Sequence, residues 1–375
     1  MGRLSFSRTE RADVAVLKRN LELWPVFREV VAGFSVLELE TIKTPLNVRD
    51  IFRIFRYVIA KKASIGYASM AAQIRRSGVK VLLAVDQTSQ VVEELGRLLP
   101  ELRQVVIAHG SLRADSLKGH QIRRRDHRVL CVWGEADVAA YASAAETPVN
   151  TRVIGSMRNA DYIRQHSISA NRSARNPLLF VSQYSGKEEE STSDTSKRQQ
   201  ILRALKSNTH RYCRERRLPL LVALRPPASA PHAPSQREDE IRHYENTFTG
   251  VPLTFTDSTH AYSSYLASDE SDVTIGVPSG ALTESFARGN KVLMFRQDPR
   301  SGGYYGFPVE GQWLLTEPTY EQFAERLDAL RAMRREDCAH SWRVEREYMV
   351  ANAESAEPIN LARQLVERAI RGEAL

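Results

Sequence analysis

Short apolar runs alternate along this chain with longer stretches of helical spacing. Ala12–Leu17 reads as a first strand, Leu21–Val31 as a helix and Phe34–Leu39 as a second strand. Val48–Ala60 and Ile65–Ser77 have helical spacing, the first with Ile51, Ile54, Phe55 and Val58 on one face, which the pattern assigns to the core. Four strand-like runs follow, each closing on polar residues. Val79–Val85 ends at Asp86, Gln104–Ala108 at His109-Gly110, Arg128–Trp133 at Gly134-Glu135, and Thr151–Ile154 at Gly155-Ser156. Continuous apolar strands separated by helices predict a parallel sheet covered on both faces.

The pattern breaks at His166–Asn176, a polar and basic stretch, and then begins again. Pro177–Val181 is a strand running into Ser182-Gln183-Tyr184, and Gly186–Ser196 reads as a polar loop. Lys197–Arg214 has helical spacing, Leu218–Leu224 is a strand ending at Arg225, and Ala228–Glu238 reads as a Pro/Ala/Ser loop. A short helix at Ile241–Phe248, a strand at Leu253–Phe255 and a helix at His260–Ala267 come next. The helix Thr319–Met333 and further helices from about Ser341 to Arg371 complete the chain. The expected division is 1–165 as an N-terminal, acceptor-side domain, 166–176 as a linker, 177–335 as a C-terminal, donor-binding domain, and 336–375 as C-terminal helices. Two βα-repeating halves in succession predict an α/β architecture of two Rossmann-like domains facing a cleft.

Within the second half, Ser271–Met294 (SDVTIGVPSGALTESFARGNKVLM) is the most informative segment. A β-rich run, a Pro278-Ser279-Gly280 turn, a helical stretch with Leu282, Ser285 and Phe286 on one side, a stop at Gly289 and another apolar strand follow in order. A helix that starts just outside the carboxyl end of a parallel strand offers its N–H groups to an anion. Ser279 and Gly280 are therefore candidates for holding a donor phosphate, and Glu284, one turn on, for reaching a ribose.

Composition narrows the options. The chain has 375 residues, too many for one ordinary core, and its 42% hydrophobic and 26% charged shares are those of a soluble globular protein. No run approaches the roughly 20 apolar residues of a membrane span. The N-terminus lacks the apolar segment of a secretory signal, so a cytoplasmic location is expected. The three cysteines, Cys131, Cys213 and Cys338, are scattered without metal-ligand spacing. A net charge of +8 implies an anionic partner: nucleic acid, an anionic membrane surface or a phosphorylated substrate. Aromatics are not interleaved with the cations, which places nucleic acid last. Lys118, His120, Arg123-Arg124-Arg125 and His127 form a basic cluster, either a solvated loop or a contact for anionic lipid or glycan at the inner face of the membrane. No HExxH, CxxC, Walker loop, GxSxG or suitably placed DxD is present, so no metal or cofactor is expected beyond the donor itself.

The polar residues after the strands carry the candidate chemistry, each with a plainer role beside it. Asp86 is a base or nucleophile, or the N-cap of the next helix. His109, followed by a glycine that admits close approach, is an acid–base group or a packing residue. Glu135 is a third catalytic candidate or a complement to a helix dipole. Ser156 and Arg158 are substrate-side candidates, and Ser182, Gln183 and Arg225 line the donor side; for both arginines the alternative is surface or domain-interface pairing.

Taken in order, VLLAVDQTSQ, VVIAHGSLR, VLCVWGEADVAAY, VIGSMRNADYI, LLFVSQYSG and DVTIGVPSGALTESFARGNKVLMF resemble a bacterial surface-carbohydrate-biosynthesis family first described in spirochaetes. That family is similar to GT-B glycosyltransferases, including those that use CMP-Kdo, and more distantly to CDP-glycerol glycerophosphotransferases. The resemblance spans roughly residues 79 to 295. It implies a metal-independent transferase that moves a sugar from a nucleotide sugar, CMP-linked, to a surface polysaccharide or lipopolysaccharide precursor. Asp86 and His109 would be the catalytic pair, and Arg113, at the end of the His109 turn, would join the substrate side. The chain departs from the pattern at Gln87, at Ala108-His109 and at Gly280, where a threonine hydroxyl is replaced by backbone alone. A glycerophosphotransferase, a sugar-nucleotide 2-epimerase and a non-catalytic glycan-assembly factor are the competing readings.

Overall fold

The structure, a computed structural model, describes residues 11–17, 24–39, 50–85, 90–110, 127–144, 150–166, 176–184, 197–224, 234–257, 260–296 and 309–375. The chain forms two compact units, residues 1–164 together with 355–375, and residues 165–354.

In the first unit, β1 (Val14–Leu17), β2 (Val36–Leu39), β3 (Val81–Val85), β4 (Arg103–Ile107), β5 (Arg128–Val132) and β6 (Thr151–Val153) make a six-stranded sheet in the order β2-β1-β3-β4-β5-β6. Every pairing is parallel. The inner strands β1 and β3 read as unbroken apolar runs because both faces are buried. Ala15, Leu82, Ala84, Val106 and Leu130 point to one core, and Val14, Val16, Leu83, Val105 and Val129 to the other. Helices Ile51–Lys61, Ile65–Ser77 and Gln90–Leu98 cover the first face. Helix Trp24–Val30 and the C-terminal helix Glu357–Arg371 share the second, the latter through Ile359, Ala362, Leu365, Val366 and Ala369. Part of the segment set apart from sequence as C-terminal helices thus belongs to the first unit's core.

Helix Ile51–Lys61 differs from its expected orientation. Ile54 and Tyr57 are buried and Val58 packs against them, but Ile51 and Phe55, assigned to the same inward face, are exposed. The helix has two apolar stripes, and the periodicity merged them into one.

The second unit holds β7 (Asn176–Val181), β8 (Leu220–Ala223), β9 (Leu253–Phe255), β10 (Ser271–Gly276), β11 (Val292–Arg296) and β12 (Leu314–Thr316). They form a six-stranded sheet in the order β12-β11-β10-β7-β8-β9, again all parallel. Counted within this unit the order is 3-2-1-4-5-6, the arrangement of dinucleotide-binding sheets. Its strand β12 is too short to stand out in the sequence. The loop expected at Ala228–Glu238 is overturned in its second half, where helix Pro234–Thr247 begins. Proline is tolerated in a first helical turn, whose N–H groups lack intrahelical partners anyway.

Candidate functional site at the carboxyl edges of two parallel sheets

Parallel strands all deliver their carboxyl ends to one edge, so the residues that follow them share that edge. In the first unit this applies to β4, β5 and β6, which are successive neighbours. His109 lies two residues beyond β4 and is exposed. Its turn is fixed from beside it, since Trp133 Nε1 donates to the Ala108 carbonyl at 3.3 Å. The Trp133 amide in turn donates to the Asp137 carboxylate at 2.9 Å. Glu135 is exposed and opens helix Glu135–Ala144, whose first turn also carries Asp137. Ser156 is buried, and its hydroxyl accepts from the Asn159 amide at 3.2 Å, so it N-caps helix Met157–Gln165. Arg158, half-buried, is the second residue of that helix. Asp86 and Arg113 lie outside the described residues, as does the basic cluster up to Arg125.

In the second unit the decisive feature is the pairing of β7 with β10, Phe180 opposite Ile275. Strands β8 and β9 extend to one side of this pair and β11 and β12 to the other, so the crossover direction reverses between them. Ligands of open α/β sheets sit outside the strand ends at such a switch point. Ser182-Gln183 and Val277–Ser279 leave the sheet side by side at this position. Gly276 permits the close packing: a Cβ there would lie 3.1 Å from the Leu282 methyls and 3.4 Å from Val181 Cβ.

Helix Gly280–Ala287 starts at the switch point. Ser279, extended at φ −145° and ψ 166°, caps it by accepting from the Leu282 amide at 3.4 Å. The Ser279 carbonyl accepts from the Thr283 amide at 2.9 Å. The Gly280 and Ala281 amides precede both bonds and belong to the turn that a helix cannot satisfy from within. Gly280 is exposed, and its missing side chain leaves that backbone open to approach.

Ser182 is buried at the centre of a hydrogen-bonded group. Its hydroxyl donates to the Glu240 carboxylate and accepts from Tyr244 Oη at 3.0 Å and from the Tyr184 amide at 3.2 Å. The Gln183 amide donates to Tyr244 Oη at 3.2 Å. Glu240 and Tyr244 are four residues apart on helix Pro234–Thr247 and so share a face. Beside them Tyr184 stacks on His243 with ring centroids 5.2 Å apart, and Lys206 Nζ lies 3.1 Å from His243 Nε2. Sequence reasoning missed Glu240, Tyr244, His243 and Lys206. The available signal was the Glu240/Tyr244 spacing, hidden by reading the start of their helix as a loop. Arg225 lies outside the described residues.

Glu284, expected to reach a ribose, is 2% exposed, and its carboxylate accepts from the Tyr265 hydroxyl. The Arg288 guanidinium lies 4.7 Å above the Tyr265 ring and donates to the buried Asp269 carboxylate at 3.1 Å. Asn290 Nδ2 donates to the same carboxylate oxygen at 2.6 Å and to Ser285 Oγ at 3.2 Å. This network fixes the inner side of the helix whose N-terminus opens at the switch point.

No protein-family model and no curated protein matches the sequence. Solved structures do match along nearly the whole chain. The UDP-N-acetylglucosamine 2-epimerase of Rickettsia bellii superposes with a TM-score of 0.53 at 11% identity, covering 97% of each chain. A glycosyltransferase of Rickettsia africae ESF-5 gives 0.52 at 11% identity, over 96% of this chain and 99% of its own. The wall teichoic acid polymerase TagF gives 0.51 at 12% identity, over 96% of this chain and 89% of its own. The chain has a two-domain α/β fold of the GT-B kind. At these identities the likeness fixes architecture, and chemistry has to be argued from the site.

Proposed function

We propose that the protein is a glycosyltransferase that moves a sugar from a nucleotide sugar to a surface-glycan precursor, with the second unit binding the donor. The observation that carries the reading is the switch point between β7 and β10, where Ser182-Gln183 and the Ser279-Gly280 helix start emerge together. Backbone amides there would hold the donor phosphates and offset charge that builds on the leaving group. The Tyr184–His243 pair offers an aromatic surface, and Lys206 a cation, next to the same strand end. The order of sequence motifs supports a CMP-linked donor. On the acceptor side, His109 and Asp86 would supply the base, with Glu135, Ser156, Arg158 and Arg113 completing the candidates.

Thermal denaturation with CMP, CDP, UDP and GDP in turn tests the donor. Binding stabilises the folded state by about 2.7 kcal/mol at a concentration one hundred times Kd. CMP or its sugar conjugates should raise the midpoint most, and Gly280→Pro should abolish the rise. Transfer by purified Asp86→Ala and His109→Ala enzymes that equals wild type would refute the catalytic pair.

The 2-epimerase reading draws support from the same fold and the same switch point. The two part on the acceptor, because an epimerase would convert its sugar nucleotide with no acceptor present. Chromatography of the products with and without acceptor separates them.

A further inference from the structure

Helix Ile51–Lys61 carries an outward apolar stripe that is exposed. Ile51 is 49% exposed, Phe52 82%, Phe55 63% and Ile59 63%. At 3.6 residues per turn these four fall within about 100° of the helical circumference. The opposite side is already used, since Ile54 and Tyr57 are buried in the core of the first unit. Ile65, at the start of the next helix, is also exposed, at 61%. Single exposed apolar residues are ordinary, but a continuous stripe of large ones marks an interaction surface.

The charges around the stripe say what the surface meets. Arg56 borders it, about 40° beyond Phe52 on the helical circumference, Arg53 lies further round and Lys62 follows its end, all exposed, while Lys61 Nζ is turned away and donates to the Leu98 carbonyl at 3.2 Å. The carboxylate within this stretch, Asp50, is buried and ion-paired with Arg76, with Arg53 3.8 Å away. Glu94 and Glu101 on neighbouring elements are paired with Arg97 and Arg75. An apolar stripe bordered by cations matches an interface with hydrocarbon beneath and phosphate above. A second copy of the chain is a poorer match, because a two-fold contact would set this cationic border against itself. Among the described residues no helix is long and apolar enough to cross a membrane, so the contact is with a surface.

We propose that helix Ile51–Lys61 docks the first unit on an anionic lipid bilayer, with Phe52, Phe55 and Ile59 entering the interface and Arg56 and Lys62 meeting the headgroups. The helix would lie in the plane of the surface at a depth of about 5–10 Å. The proposal needs neither donor nor acceptor, so its outcome is independent of the glycosyl-transfer reading.

Flotation of the full-length protein with vesicles of phosphatidylcholine alone, or mixed with phosphatidylglycerol, tests it. The protein should float with the mixed vesicles only. Binding should fall steeply between about 0.1 M and 1 M salt, as the screening length drops from about 10 Å to about 3 Å. The triple variant Phe52→Ser/Phe55→Ser/Ile59→Ser should lose at least about tenfold in affinity. Arg56→Ser/Lys62→Ser should lose about 25-fold, or about fivefold for each cation. Because the altered side chains are exposed, the thermal midpoint should match wild type; if the triple variant misfolds, the single Phe52→Ser replaces it. Equal flotation of wild type and variants, or no preference for the anionic vesicles, overturns the proposal. So does a wild-type dimer that sediments as a monomer in the triple variant while neither binds vesicles, an outcome that would assign the face to a second copy of the chain.

Discussion

Ser182 illustrates how a polar residue at a strand end is committed to the fold. Its place after a strand makes it a donor-side candidate, yet its hydroxyl is committed to Glu240, Tyr244 and the Tyr184 amide. Ser182→Ala would leave these buried partners short of a bond, at a cost of about 1–3 kcal/mol. The expected outcome is a lower denaturation midpoint even without nucleotide, read by urea titration; a purely ligand-contacting serine would leave it unchanged. The cysteines are a simpler case. Burial pushes the Cys131 and Cys213 thiols up to about 12 and Cys338 to about 11. All three stay neutral thiols near pH 8, so native protein should resist iodoacetamide there and react fully once unfolded, as counted by intact mass. Position after a strand was legible in the sequence at this scale. Whether a side chain faces solvent or an internal partner was not, because Glu284 turns inward to the Tyr265 hydroxyl, a partner that no local pattern reveals.

Helix Gly280–Ala287 is short, and its rigidity comes from its surroundings. Leu282, Ser285 and Phe286, grouped from sequence on one side, are all buried. At its far end Arg346 donates to the Ala287 carbonyl from Nε at 3.0 Å and Nη2 at 2.8 Å. Gly289 follows at φ +86°, where a Cβ would also press on Ala339 and Arg346 at 3.2 and 3.3 Å. The Arg288–Asp269 pair beneath the helix is enclosed on both sides, at 2% and 3% side-chain exposure. Arg288→Ala would strand a buried carboxylate and should cost about 3–5 kcal/mol in chemical denaturation. The strand–turn–helix–strand order of this segment was legible because each boundary has its own local cause: proline and serine at the turn, glycine at the stop. Helix Pro234–Thr247 was half lost because a cluster of prolines imitates a loop, and the partner that shows otherwise, Ser182, is far away in sequence.

For the whole molecule, the two halves were visible because a parallel sheet buried on both faces needs apolar inner strands, as β1 and β3 are in the first unit and β11 is in the second. The return of the C-terminus to the first unit was not visible, since an amphipathic helix does not announce which sheet it covers. Its consequence is testable. Ile359, Leu365 and Val366 are each at least nine-tenths buried. Burying side chains of this kind contributes roughly 1.5–3 kcal/mol each, a sum close to the whole stability of many domains. A chain ending at Glu354 should therefore lose the first unit's cooperative transition in calorimetry while the second unit keeps its own.

That crossing also sets a timetable for synthesis. Residues 1–164 emerge first, but the helix that completes their core follows after roughly 190 further residues. At about 5–20 residues per second, the nascent first sheet waits about 10–40 seconds with part of one apolar face uncovered. The second unit, contiguous in the chain, is free to finish during that wait. The half made first is thus the half completed last, and a chaperone that binds the nascent chain would find its substrate on the floor of β3 and β4, where Val81, Leu83, Val105 and Ile107 await their cover.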